Sequence, residues 1–111
     1  MTVPLYQVKA QLFRTLGHPV RIRVLELLLD GPKAVHELLT ELPMGSAKLS
    51  QQLAVLRGTG VVSARRDGNT VEYSLSTTDV GDLLRAARLV LTQHAVGQGK
   101  LLAELRMETA S

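Results

Sequence analysis

The sequence of 111 residues has no cysteine, no tryptophan, one phenylalanine and two tyrosines. Without cysteine there are no disulfides, no thiolate metal sites and no thiol-based redox switches. With so few rings the core must be aliphatic, built from the Leu, Val and Ala that dominate the 45% apolar content. No apolar run approaches the roughly 20 residues of a membrane-spanning helix. The amino terminus lacks a basic segment followed by an apolar stretch. A cytoplasmic protein with no membrane partner is therefore expected. Internal repeats and low-complexity segments are also missing, and the length suits one domain, 1–111, with a single core.

The stretch from Ala34 to Leu75 carries the pattern around which the chain is organised. Ser46 to Arg57 follows the breakers Pro43 and Gly45, and Ser46 is a suitable N-cap. At about 100° per residue, Leu49, Leu53 and Leu56 share one face, which must be the core side. The other side carries Ala47, Lys48, Ser50, Gln51 and Ala54, with Gln52 beside them, and the helix holds no carboxylate. An ordinary solvated face would also look polar. Small residues, amides and hydroxyls, however, suit a DNA major groove, where Gln matches adenine N6 and N7 and Ala permits close approach.

Two β-rich runs follow, Val61 to Arg66 and Thr70 to Leu75, around Asp67-Gly68. Asp-Gly is a strong signal for a type I′ turn. With those two residues as the loop, Arg66 pairs with Asn69, Arg65 with Thr70, Ala64 with Val71, Ser63 with Glu72 and Val62 with Tyr73. Such a register puts apolar pairs on one face and polar pairs on the other. Arg65, Arg66, Asn69 and Thr70 are then offered at the tip to phosphates or a minor groove.

Charge placement favours that use. The chain carries 13 Lys and Arg against 10 Asp and Glu, a net charge of +3. Residues 46–70 hold Lys48, Arg57, Arg65 and Arg66 against Asp67 alone, which accounts for all of the excess. An electrostatic footprint of this kind is expected of a DNA-binding domain. So few cations per copy point to a dimer, in which phosphate contacts double.

Elsewhere the pattern is helical. Leu5, Val8, Leu12, Phe13 and Leu16 mark a first helix between Pro4 and Gly17. Pro19 opens a second, strongly apolar helix that Gly31-Pro32 stops, with His18 before it as a local cap or packing group. Val35 to Leu42 forms a short helix with Glu37 and Glu41 outward, and exposed His36. Arg57-Gly58-Thr59-Gly60 supplies a glycine C-cap. From Asp79 a last helix runs through Val80, Leu83, Leu84, Ala87, Val90 and Leu91, capped by Thr77 or Thr78. Ala95, Leu101, Leu102 and Leu105 continue its phase across Gly97-Gln98-Gly99, which favours one long helix. Its apolar stripe exceeds what a small core needs, so the first and last helices are expected to pack on a second subunit through Leu5, Val8, Leu12, Leu84, Ala87, Leu91, Leu101 and Leu105. The fold class is mainly α with a small β-hairpin (α+β): four helices, two strands and a last helix, a winged helix-turn-helix.

Three segments in this order, Leu16 to Leu25, Leu49 to Val62 and Arg65 to Leu75, resemble the ArsR/SmtB family of bacterial winged-helix repressors over nearly the whole chain. The resemblance implies a homodimer built from first and last helices that binds double-stranded operator DNA with inverted half-sites. It places 46–52 in the major groove and 65–70 in the wing. Gln52 stands where the family has a second histidine after the Ser of the recognition helix.

Many members sense metals, and here the ligands implied by the family are missing. Val35-His36-Glu37-Leu38 replaces a cysteine pair. In the last helix Asp79 precedes Gly81, Asp82 precedes Leu84 and His94 precedes Gly97, which leaves His94 with distant Glu104 and Glu108. No metal and no cofactor is expected, and the effector is left open among an organic ligand, a partner protein or none. Two alternatives accompany this reading: a module docking an acidic protein, and a repressor responding to metal through His and carboxylates. Ser46, Ser50 and the three histidines have no triad or phosphate-loop context, and His18, His36 and His94 lie on separate elements, so an enzyme is not expected.

Overall fold

A computed structural model describes residues 2–94, together with Glu104 and Met107. Helix α1, Leu5–Leu16, leads to α2, Pro19–Leu27, which tightens into a 3₁₀ turn at Leu28–Asp30. Strand β1, Lys33–Ala34, precedes α3, Val35–Leu39, and α4, Ser46–Gly58. The hairpin is β2, Val62–Asp67, and β3, Thr70–Leu75, followed by α5, Thr78–His94. This is a helix-turn-helix followed by a β-wing, as expected.

Two local signals act as the sequence suggested. His18 is the N-cap of α2, its Nδ1 accepting from the Val20 amide at 3.2 Å ahead of Pro19. Thr77 Oγ1 accepts from the Asp79 amide at 3.2 Å and caps α5.

Four features differ from expectation. Helix α3 stops at Leu39, because Leu42 precedes Pro43, which disfavours helical backbone there, and because Thr40 bonds the Glu37 carbonyl through its hydroxyl at 2.7 Å. Gly45, and not Ser46, is the N-cap of α4, and no side chain caps that end. Antiparallel strand β1 was unforeseen. It pairs Lys33 with Tyr73 and Ala34 with Glu72, giving a three-stranded sheet in the order β1-β3-β2.

The hairpin register is the fourth correction. Asp67 pairs with Thr70, Arg66 with Val71, Arg65 with Glu72, Ala64 with Tyr73, Ser63 with Ser74 and Val62 with Leu75. The loop is Gly68-Asn69. Gly68 has φ +64° and no residue other than glycine has positive φ among the described residues, which fits a type II′ turn with Gly first and not the type I′ turn of an Asp-Gly loop. A shift of two residues leaves every side chain on its expected face.

The core joins Leu16 of α1, Val24 and Leu25 of α2, Leu28, Leu38 of α3, Leu42, Leu49, Leu53 and Leu56 of α4, and Val61 and Val62 at the base of the wing. It is aliphatic throughout, as the shortage of aromatics requires. Leu12, Tyr73, Leu75, Val80, Leu83 and Leu84 pack against it while only partly buried. Ala95, Leu101, Leu102, Leu105 and the question of continuity past Gly97 to Gly99 lie outside the described residues.

Candidate nucleic-acid interface

With Leu49, Leu53 and Leu56 buried inward, the helical period turns Ala47, Lys48, Gln51 and Ala54 outward from α4, and all four are exposed. Ser50 and Arg57 lie exposed along one flank. The first turn of α4 has no acidic residue and no capping side chain. Its free backbone N–H groups, those of Ser46 to Lys48, therefore point out of a positive helix end, an arrangement suited to a phosphate.

Gln52 departs from this group. It occupies the other flank and is half-buried, with its Oε1 accepting from Arg21 Nε of α2 at 2.8 Å. Two side chains not among those expected from the sequence thus join the candidate interface. One is Arg21. The other is Val55, which is 38% exposed one turn beyond Gln51 on the outward stripe. Such a methyl-bearing group can meet the C5-methyl of thymine. Helical spacing from Gln51 would have found Val55, whereas nothing local to Arg21 indicates its partner.

In the wing, Arg65, Arg66, Asn69 and Thr70 are all exposed, but they are not equivalent. Strand pleating sends Arg65 and Arg66 to opposite faces. Arg66 extends the face of Val62 and Ala64. On the other face Arg65 Nη2 lies 4.0 Å from Glu72 Oε1, directly across the hairpin, next to Ser63 and Ser74 whose hydroxyls are 3.1 Å apart. Thr70 gives its hydroxyl proton to the Asp67 carbonyl at 2.9 Å, bracing the tip. Asp67 and Glu72 balance the two arginines, so the wing has no net charge, and Arg65 is the arginine with a carboxylate directly across from it.

The expected subunit contacts divide. Leu5, Val8, Ala87 and Leu91 are exposed, Leu12 and Leu84 are half-buried against the core of their own chain, and Leu101 and Leu105 are not among the described residues. Tyr6 and Phe13 on α1 and Leu89 and Val90 on α5 add further exposed apolar surface. Among the described residues, no three His, Asp or Glu side chains gather as a metal-holding group, and no helix is long and apolar enough to cross a membrane.

The model of the bacterial regulatory protein family arsR matches residues 18–64. An uncharacterised HTH-type transcriptional regulator of Mycobacterium tuberculosis, Rv0081, is 49% identical over 104 residues, covering 93% of this chain and 91% of that protein. The chain belongs to the ArsR family. The crystal structure of Rv0081 aligns with this ArsR-family chain at a TM-score of 0.81, covering 87% of this chain and 98% of the other. A biofilm growth-associated repressor of Xylella fastidiosa is 39% identical over 77 residues, 69% of this chain and 68% of that protein. A homodimeric winged helix-turn-helix DNA-binding domain from Mycobacterium bovis, 30% identical, has a TM-score of 0.75 and coverage of 81% and 83%. As an ArsR-family protein the chain is a transcriptional regulator and not an enzyme.

Proposed function

We propose that this chain is a cytoplasmic homodimeric repressor, a single winged helix-turn-helix domain over 1–111 that binds an inverted-repeat operator and needs no metal. The observation that carries the reading is the carboxylate-free outward face of α4, ending in an uncapped, positive helix terminus. Ser46, Ala47, Lys48, Ser50 and Gln51 enter the major groove, with Val55 behind them. Arg57, Arg65, Arg66, Asn69 and Thr70 meet the backbone or the minor groove, and Gln52 lies at the edge. The exposed apolar surfaces of α1 and α5 support pairing of two copies, and the M. bovis relative is itself named homodimeric.

Two recognition helices on one face of the duplex sit about 34 Å apart, so half-sites repeat once per helical turn. Selection of bound fragments from a random duplex pool, with and without chelator, followed by footprinting, tests this. An inverted repeat with that spacing, recovered equally under both conditions, is the expected result. A footprint of one half-site would refute the dimer, and recovery only without chelator would refute the metal-free reading. Gln51→Ala should relax base preference at one position of each half-site.

A further inference from the structure

Arg21 and Gln52 meet across the seam between α2 and α4. The Nε of Arg21 donates to Gln52 Oε1 at 2.8 Å, and Nη1 of the same guanidinium donates to the Thr15 carbonyl at 3.3 Å, in the last turn of α1. A guanidinium carries donors and no acceptor. The end of the Gln52 amide that faces it must therefore be the carbonyl oxygen, so the partner's chemistry fixes which way the amide lies. Nε2, with its two donors, is left available for another partner.

Reading adenine through N6 and N7 takes one donor and one acceptor on the same amide edge. Gln51, exposed at the centre of the outward face, has both. Gln52 has its acceptor turned inward and sits about 100° around the helix from Gln51, on the flank where a recognition helix passes the wall of the groove. Contacts at that wall go to phosphate oxygens and carry no sequence information directly.

We infer that Arg21 is a positioning residue that makes Gln52 a donor-only group, and that Gln52 binds a phosphate oxygen of the duplex, leaving Gln51 to read sequence. This rests on the DNA-binding reading proposed above. Replacing the two glutamines should therefore have different consequences, although they are neighbours with the same side chain.

The experiment titrates the full chain and its variants against two labelled duplexes, the selected operator and one with scrambled half-sites. Gln52→Ala should weaken both duplexes by the same factor, about three- to tenfold. Gln52→Glu keeps an acceptor for Arg21 but presents negative charge and no donor, so it should weaken both further. Gln51→Ala should weaken the operator alone. With Arg21→Ala the amide is released, and the double variant Arg21→Ala, Gln52→Ala should lose less than the product of the two single losses. Without DNA, the Arg21 Nε–H resonance should exchange slowly with solvent in the wild type and in Gln52→Glu, and quickly in Gln52→Ala. A Gln52→Ala loss confined to the operator, undiminished binding by Gln52→Glu, or fast exchange in the wild type overturns the inference alone. A wild-type chain that binds neither duplex removes the DNA-binding reading and this inference with it.

Discussion

Val61 donates its backbone amide to the Leu56 carbonyl 3.3 Å away, and both side chains are buried in the same core. Between them Gly60 donates to the Arg57 carbonyl at 3.0 Å with φ +83°. The paired bonds are a Schellman motif, which closes the recognition helix and aims the chain into the wing. A side chain at Gly60 would be held in left-handed backbone, so Gly60→Ala should cost about 1 to 2 kcal/mol and Gly60→Val more. Urea unfolding measures this. An unchanged midpoint with an unchanged slope would show that the motif does not hold the wing.

The two wing arginines should separate in DNA binding. Arg66→Ala should weaken all duplexes and lower the salt slope by about one unit. Arg65→Ala should do less, since Glu72 already faces it across the hairpin. At 4.0 Å, and with the arginine side chain 82% exposed, that ion pair contributes under about 1 kcal/mol to folding. Glu72→Gln should therefore leave stability nearly unchanged while raising duplex affinity. Titrations at several salt concentrations decide the order, and equal effects at Arg65 and Arg66 would contradict it.

Much of this was legible because the relevant signals are local. The spacing of Leu49, Leu53 and Leu56 marks the buried side of α4, and His18 before Pro19 marks a helix start; both are as expected. The register of the hairpin escaped because alternation is blind to a shift of two residues. What separates Gly68-Asn69 from Asp67-Gly68 is the backbone of Asp67, which a type I′ loop would hold at positive φ, whereas only glycines have positive φ among the described residues. Strand β1 is two residues long and has no period to detect. Gln52 reads as a base-contacting amide until Arg21, 31 residues away, is placed beside it, and no local pattern carries that information.

Leucines on the two sides of the chain should respond differently to truncation. Leu53 is fully buried among Leu25, Leu38, Leu49 and Leu56. Leu53→Ala should therefore cost about 2 to 5 kcal/mol, lost transfer energy plus the cavity left behind. Leu89, 61% exposed on α5, buries little in its own protomer, so Leu89→Ala should leave the stability of one folded chain within about 0.5 kcal/mol. Unfolding at low protein concentration compares them, and equal losses would mean that α5 is integrated into the protomer core.

The same exposure argument, extended to two copies, predicts how subunits associate. Val8 on α1 is 52% exposed and Leu91 on α5 is 45% exposed, amid apolar neighbours that a solvated surface does not need. If these faces pair about a two-fold axis, each substitution enters the contact twice. Val8→Glu and Leu91→Glu would then bury four like charges in one interface, yet neither position lies in the protomer core. Light scattering should give the mass of two chains for the wild type and of one chain for the double variant, with circular dichroism unchanged. Because each protomer brings its own phosphate contacts, the salt slope for operator binding should fall to roughly half in that variant. A wild type that scatters as one chain would rule out the dimer, and a double variant that stays paired would move the contact away from α1 and α5.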